Sequence, residues 1–304
     1  MSASPSLLDR LIADGLLIAS GVDGVYLRSI RFEQIIEALD ALAVRIGAPD
    51  SPEVLRFPPA MPQASLVRSG YLKSFPQLLG TIHCFCGNEA AHRKLLQCVE
   101  ANEPWTGQQQ VTDLLLTPAA CYPLYPAIAQ RGRLSPEGGL YDIQSWCFRH
   151  EPSLDPARMQ TFRMHEFVRI GSAEQVMAFR QLWFDRAHEF ASELAVPFVM
   201  DVANDPFFGR SGRLMADSQR EQKLKYELLI PINSEAQPTA CMSFNYHLNH
   251  FGEAWGIELA DGSQAHSGCV GFGLERLALA LFCHHGLNAD TWPDKVRHAL
   301  RLDA

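Results

Sequence analysis

Two strand-like runs on either side of a long, proline-containing loop limit the folds open to this chain more than any other feature. Residues 141–148 are mainly apolar and residues 163–170 half so, while residues 152–161 between them hold Pro152 and Pro156. The runs therefore read as the arms of an antiparallel hairpin joined by a long loop. Directly behind them, residues 173–194 read as one long amphipathic helix, with Val176, Phe179, Leu182, Trp183, Ala187 and Phe190 on its apolar side. A hairpin backed by such a helix predicts an α+β chain whose mostly antiparallel sheet is flanked by helices.

The surrounding sequence adds elements of both kinds. A turn at 21–26 enters a strand, and residues 31–46 carry Ile35, Ile36, Leu39, Leu42, Ala43 and Ile46 at helical spacing. Gly47 is a natural stop for that helix, and Pro49 and Pro52 keep the following segment out of helix. Residues 54–62 then read as extended and proline-broken, residues 90–99 as helix and residues 112–116 as a buried strand. Near the end, residues 274–282 form a buried helix launched from a glycine-rich turn at 271–273. No internal repeat or heptad pattern is present.

The chain's 304 residues, 47% of them hydrophobic and 20% charged, suffice for a large core. A net charge of −8 and a pI near 5.8 argue against a protein that wraps a polyanion. The one basic concentration, residues 210–225 with Arg210, Arg213, Arg220, Lys223 and Lys225, suits a solvated helix face as well as a binding surface. Eight cysteines are too sparse for a disulfide scaffold in a chain of this length. The first 17 residues lack a signal peptide's cationic start and clean apolar centre, and no apolar stretch approaches the roughly 20 residues of a membrane span. These features place the chain in a reducing cytoplasm, with its cysteines buried or metal-bound and no membrane partner. His83-Cys84-Phe85-Cys86 and His247-Leu248-Asn249-His250 bring ligand-type residues together, but Cys-x-Cys lacks the usual zinc-knuckle gap. Cys98, Cys147 and Cys283 read as small buried apolar residues, and His284-His285 as an exposed helix end.

The charged residues at the hairpin suggest chemistry. Arg149 presents a planar, permanently charged fork suited to phosphate and carboxylate oxygens. Read alone, Arg149 and Glu151 also fit a surface ion pair, and Phe167 fits ordinary core. Three elements in order favour a site: Arg149-His150-Glu151, Arg163-Met164-His165-Glu166-Phe167 and Gly271-Phe272-Gly273-Leu274-Glu275-Arg276. Together they resemble motifs 2 and 3 of class II aminoacyl-tRNA synthetases, and the helix before residues 54–62 has the form of motif 1, which builds a dimer interface.

That resemblance implies ATP-dependent activation of an amino acid. Arg149 then contacts the α-phosphate, Glu151 reads the adenine amino group, Phe167 stacks on adenine, and Arg276 lies on the ring's other face and reaches the terminal phosphates. Gly271 and Gly273 let the backbone approach the nucleotide and adopt unusual dihedrals. The run from Thr161 to Phe167 resembles the atypical, zinc-dependent seryl-tRNA synthetases, in which two cysteines and a glutamate hold the metal that binds the substrate amine. By that resemblance the ligands are Cys121, Glu166 and Cys269, a set that leaves a fourth tetrahedral position open.

Further matches, at Gly24-Val25-Tyr26, Phe57-Pro58-Pro59, residues 69–76, Ala120-Cys121-Tyr122-Pro123 and Ser243-Phe244-Asn245-Tyr246-His247, narrow the likeness to the amino acid:[carrier protein] ligases. These are similar to a synthetase core without its tRNA-binding appendage. The resemblance implies a single catalytic domain with no separate tRNA-binding domain, acting as a homodimer through residues 31–62. It implies glycine or alanine as substrate, Zn²⁺, ATP and Mg²⁺ as cofactors, and a small acidic carrier protein bearing phosphopantetheine as partner, with residues 210–225 as its docking candidate. Arg158, Met159, Lys225, Ala240, Cys241, Met242 and Ser243 join the nucleotide-binding set. The seryl-type acidic run before Asn245 is replaced here by Gln237-Pro238-Thr239-Ala240-Cys241-Met242, which leaves the Mg²⁺ ligands unassigned. The competing readings are a tRNA-charging seryl enzyme and a non-catalytic regulatory paralogue.

Overall fold

The computed structural model describes residues 5–303, so the first four residues of the N-terminal segment lie outside it. Its centre is a seven-stranded sheet. In spatial order the strands are β3 (Glu53–Arg56), β7 (Gly139–Phe148), β8 (Thr161–Gly171), β12 (His266–Gly273), β11 (Thr239–Tyr246), β10 (Lys225–Ile230) and β9 (Val199–Val202). Every neighbouring pair is antiparallel except β3 with β7. The expected α+β architecture is therefore the one observed, and β7 and β8 are the arms of the expected hairpin, paired from Gly139↔Ile170 to Phe148↔Thr161. Two small sheets stand apart: the hairpin β1 (Leu17–Val22) with β2 (Val25–Arg28), and the trio β4 (Ala60–Pro62), β6 (Gln110–Leu116) and β5 (Thr81–Cys84).

The helices follow in chain order: α1 (Leu7–Ala13), α2 (Ile30–Gly47), α3 (Gln63–Arg68), α4 (Tyr71–Ser74), α5 (Glu89–Glu100) and α6 (Leu124–Ala129). Beyond the hairpin come α7 (Ala173–Glu193), α8 (Gly209–Glu221), α9 (His250–Trp255), α10 (Leu274–His285) and α11 (Asp294–Leu300). The long helices start where side chains can satisfy the first free N–H groups. Ser29 caps α2 by accepting from the Phe32 N–H, and Ser172 and Gln175 form a reciprocal capping box on α7.

Helices α2, α7 and α10 cover one face of the sheet. Their buried stripes meet an aromatic cluster of Phe167, Trp183, Phe190 and Phe272, with Phe167 stacked on Trp183 at 4.7 Å between ring centroids. Each such ring contributes roughly 1.5–3 kcal/mol by burial alone. Gly47 has a different part from the stop expected of it. It is the last residue of α2, and a Cβ there would stand 2.3 Å from Phe167 Cε1, so only glycine lets the helix end lie on that ring.

Four expectations are corrected. Leu182 is exposed, and the position it was assigned in the stripe of α7 is taken by the buried Arg180, whose guanidinium donates to the Lys223 carbonyl and lies against the Phe184, Tyr226 and Tyr246 rings. Strand β6 is largely exposed, and between 112 and 116 only Leu115 is buried. Residues 271–273 are the end of β12 and run straight into α10, with Gly273 at φ −83°, so no unusual dihedral is involved. Of the three cysteines expected inside, Cys147 is buried while Cys98 and Cys283 are half-buried.

Candidate active site and metal centre

The sheet face opposite the long helices forms the floor of a cleft of about 650 Å³. Strand alternation decides which side chains reach it. On β8, Phe162, Met164 and Glu166 face the cleft, while Arg163, His165 and Phe167 face the helices. Cross-strand register then aligns Glu166 with Gly271 on β12, Gly271 with Ser243 on β11 and Ser243 with Glu227 on β10. Gly271 leaves a gap in that row, since a Cβ there would lie 3.2 Å from Ser243 Oγ.

This geometry does not bear out the adenine-stacking role expected of Phe167. The ring is 1% exposed and lies in the helix-side core, on the wrong face for adenine. Phe162 takes its place in the cleft, with the Arg149 guanidinium 5.4 Å above its ring. Sequence reasoning missed Phe162, although the signal was present: a strand that turns Glu166 into a site also turns Met164 and Phe162, and turns Phe167 away.

The charged residues of the set mostly converge. Arg149 and Glu151 lie just beyond the end of β7, and the Arg149 Nε donates to the Pro118 carbonyl at 3.0 Å. Arg276, in the first turn of α10, is held flat by donating to the Ala157 carbonyl at 2.8 Å and the Ala240 carbonyl at 2.9 Å. Arg149, Glu151, Met159, Lys225, Arg276 and residues 240–243 all line the cleft. Around Cys241 the register with β10 slips, from Leu228↔Met242 to Leu229↔Ala240, which leaves Cys241 as a bulge residue and bends the backbone there. Burial pushes the Cys241 thiol up to about 12, which keeps it an unreactive wall.

Two residues of the nucleotide-binding set are placed differently from expectation. Arg158 stands outside the cleft lining, largely exposed, 3.7 Å from Glu151. Lys225 is buried rather than part of a basic surface, with its Nζ 2.5 Å from Asp205 and 3.1 Å from Glu227. A lysine balanced by two carboxylates presents little free charge to a phosphate. Asp205, Tyr71, Asn245 and His247 also line the cleft, although the sequence reading gave the first three no role and His247 only a place in a rival metal pattern.

Cys121 is carried by the loop before α6, Glu166 by the middle of β8 and Cys269 by β12. One ligand atom from each lies within 4.8 Å of the others, and all three residues are buried. Glu166 Oε2 is buried with no hydrogen-bond partner. Burial and the neighbouring Cys269 push the Glu166 carboxyl up to about 8. The Cys121 thiol is raised by its hydrogen bond to Cys269 and by burial, while Cys269 is lowered by the same bond. Two thiols and a carboxyl packed this closely, one carboxyl oxygen buried without a partner, form the donor set of a thiolate-rich divalent cation site. The donor set therefore fits zinc. Neither rival metal pattern gathers three ligands among the described residues: His83, Cys84 and Cys86 lie on and just beyond β5, and His250 is bonded to the Ser69 carbonyl.

No protein-family model matches the chain. Among characterised proteins it is 50% identical over 305 residues to "Amino acid--[acyl-carrier-protein] ligase 1" of Bradyrhizobium diazoefficiens, an alignment spanning 98% of this chain and 92% of that protein. Ligase 2 of the same organism is 50% identical over 295 residues, 97% of this chain and 88% of the relative. The type-2 serine--tRNA ligase of Methanopyrus kandleri is 26% identical over 264 residues, covering 79% of this chain but 49% of its own length. Among solved structures, M. kandleri SerRS in complex with A. aeolicus tRNASec superposes with a TM-score of 0.84 at 20% identity, over 100% of this chain and 61% of that one. The cytoplasmic serine-tRNA ligase of Naegleria fowleri in complex with AMP gives 0.71 at 14% identity, over 97% of this chain and 66% of its own. At such identities these two matches establish the fold, that of class II aminoacyl-tRNA synthetases. With the identity to the two ligases extending over nearly its whole length, the chain belongs to the amino acid--[acyl-carrier-protein] ligase family.

Proposed function

We propose that this protein activates a small amino acid, glycine or alanine, with ATP and passes it to the phosphopantetheine thiol of a carrier protein. The observation that carries this reading is the convergence of Arg149 and Arg276 with the Cys121, Glu166 and Cys269 cluster in one cleft. In the first step a substrate carboxylate oxygen bonds to the α-phosphorus of ATP and pyrophosphate leaves. Arg149 offers the fixed positive charge that this crowded, negatively charged transition state requires. Phe162 and Arg276 enclose the adenine, and Glu151 accepts from its amino group. When bound at the three-ligand cluster, zinc holds the substrate's neutral amine and so selects for an amino acid. In the second step the carrier's thiol sulfur bonds to the adenylate carbonyl carbon, AMP departs with the bonding pair, and the thiol proton goes to solvent. Mg²⁺ accompanies ATP.

Helix α8 borders the cleft through Leu214 and Met215, and its exposed Arg210, Arg213 and Arg220 suit an acidic carrier. We assign docking of the carrier to this helix and dimer formation to α2 and β3. The described residues act as one catalytic unit. Among them no helix is long and apolar enough to cross a membrane, and the eight free cysteines accord with a reducing cytoplasm.

The test supplies enzyme, ATP, Mg²⁺ and radiolabelled glycine or alanine with either total tRNA or a phosphopantetheinylated carrier. Label is expected on the carrier thiol and not on tRNA. Label on tRNA alone would replace this function with a tRNA-charging one, and absence of label and of pyrophosphate exchange would leave a regulatory paralogue.

A further inference from the structure

The three metal ligands are not equivalent. Asn245 faces Cys269 as its register partner across β11 and β12, and its Nδ2 donates to Cys269 Sγ at 3.3 Å. His247, two residues further along and on the same side, brings Nε2 to 3.7 Å from that sulfur. The other ring nitrogen, Nδ1, lies 3.1 Å from Ser267 Oγ and 3.4 Å from Tyr125 Oη. Both hydroxyls belong to fully buried residues and can donate to Nδ1. With Nδ1 accepting from one of these hydroxyls, the ring proton sits on Nε2, aimed at the sulfur; this is the tautomer that donation to Cys269 requires. No side-chain N–H among the described residues donates to Cys121 in the same way.

We propose that His247, together with Asn245, is a positioning residue of the metal centre, donating to the Cys269 thiolate and so setting how firmly the bound metal holds the substrate amine. The inference rests on the metal-dependent amine capture proposed above. Two thiolates and a carboxylate bring three negative charges to a doubly charged cation, an excess that weakens its pull on a neutral nitrogen. Two N–H groups drawing density from one thiolate offset part of that excess, and they also fix the sulfur's direction. His247 does not serve as a fourth protein ligand, because it stands outside the set of atoms within 4.8 Å of one another. The position it leaves open is the one an amine needs. Packing alone gives a different expectation: the ring is edge-on to Phe251 at 5.1 Å and to Tyr125 at 6.4 Å, contacts that a phenyl ring would preserve.

The test compares the full-length wild type with His247→Phe, His247→Gln and Asn245→Ala, loaded with zinc or with cobalt(II) as its spectroscopic substitute. In His247→Phe the sulfur-to-cobalt charge-transfer band should move to lower energy. Loss of zinc to a chelator should quicken about 10-fold or more, the usual scale for an outer-shell partner. KM for the amino acid should rise by a similar factor while kcat changes less. His247→Gln, which can return an N–H to the sulfur, should recover most of each effect. Asn245→Ala should shift the band in the same direction, so the measurement stands even if His247→Phe does not fold. A wild type that binds metal, with band and zinc release unchanged in the folded variants, overturns this inference alone. A wild type that binds neither metal overturns the amine-capture reading along with it.

Discussion

Phe162 and Phe167 sit five residues apart on one strand and meet opposite environments, a cleft on one side and packed rings on the other. Their truncations should therefore separate binding from stability. Phe162→Ala is expected to raise KM for ATP while leaving the denaturation midpoint nearly unchanged. Phe167→Ala empties a site closed in by Trp183, Phe272, His165 and Gly47 and should cost about 3–5 kcal/mol. Denaturant titration beside ATP-dependence kinetics distinguishes the two, and an ATP-specific defect in a fully stable Phe167→Ala protein would return that ring to the nucleotide site. Arg163 belongs with Phe167: its guanidinium is absorbed by Glu33 and Glu275 on the helix side, so the R-x-x-x-F pattern visible in sequence describes a structural brace between β8, α2 and α10. The identity of the motif was legible, but its division between two faces required the period of two to be applied inside it.

At the level of elements, the helices of the core were the most legible parts, because most of each stripe faces packed surface. Residues 31–46 and 173–194 differ from the observed α2 and α7 by one residue at most ends. The glycines at 271 and 273 misled, since glycine reads as a breaker even where a strand needs an empty position. The basic run 210–225 misled in another way, because it crosses from α8 into β10 and Lys225 turns inward. There Asp205, ahead of α8, is tied to Lys225 and Gln219. Burial opposes ionisation of Asp205, but Lys225 and Gln219 outweigh it and hold the carboxyl below its ordinary value of 3.8. A carboxylate with a depressed pKa adds stability above its unfolded value and loses it as the pH falls through the folded one. Asp205→Asn should therefore be less stable than wild type near neutrality, with the difference shrinking below about pH 4. Denaturation at a series of pH values checks this, and a gap that stays constant from pH 7 to pH 3 would contradict it.

For the molecule as a whole, the seven-stranded sheet has open edges at β3 and β9. Val54 on β3 is 58% exposed, and an unpaired strand edge of this kind suits the dimer contact proposed above. Sedimentation should give about twice the 33.9 kDa of one chain, and Val54→Glu should move the mass toward the single-chain value. A wild type that sediments as one chain would place this edge in solvent. The proposed metal site was the least legible part of the chain for a related reason. Cys121, Glu166 and Cys269 show no local spacing pattern, and only the antiparallel pairing of β8 with β12 and the loop laid over them bring the three together. Their identification came from a family likeness and not from any periodicity.

That dispersal of ligands has a consequence in time. A nascent chain exposes Cys121 first, Glu166 later and Cys269 last, and the strand carrying Cys269 must insert between β8 and β11, both already synthesised, before the trio exists. Until then two of the three ligand-type residues stand without the third, so assembly of the full set is a late event tied to closure of the sheet. The complete trio thus exists only once the sheet has closed in the right order, and a chain stalled or misregistered at its penultimate stage lacks the full ligand set.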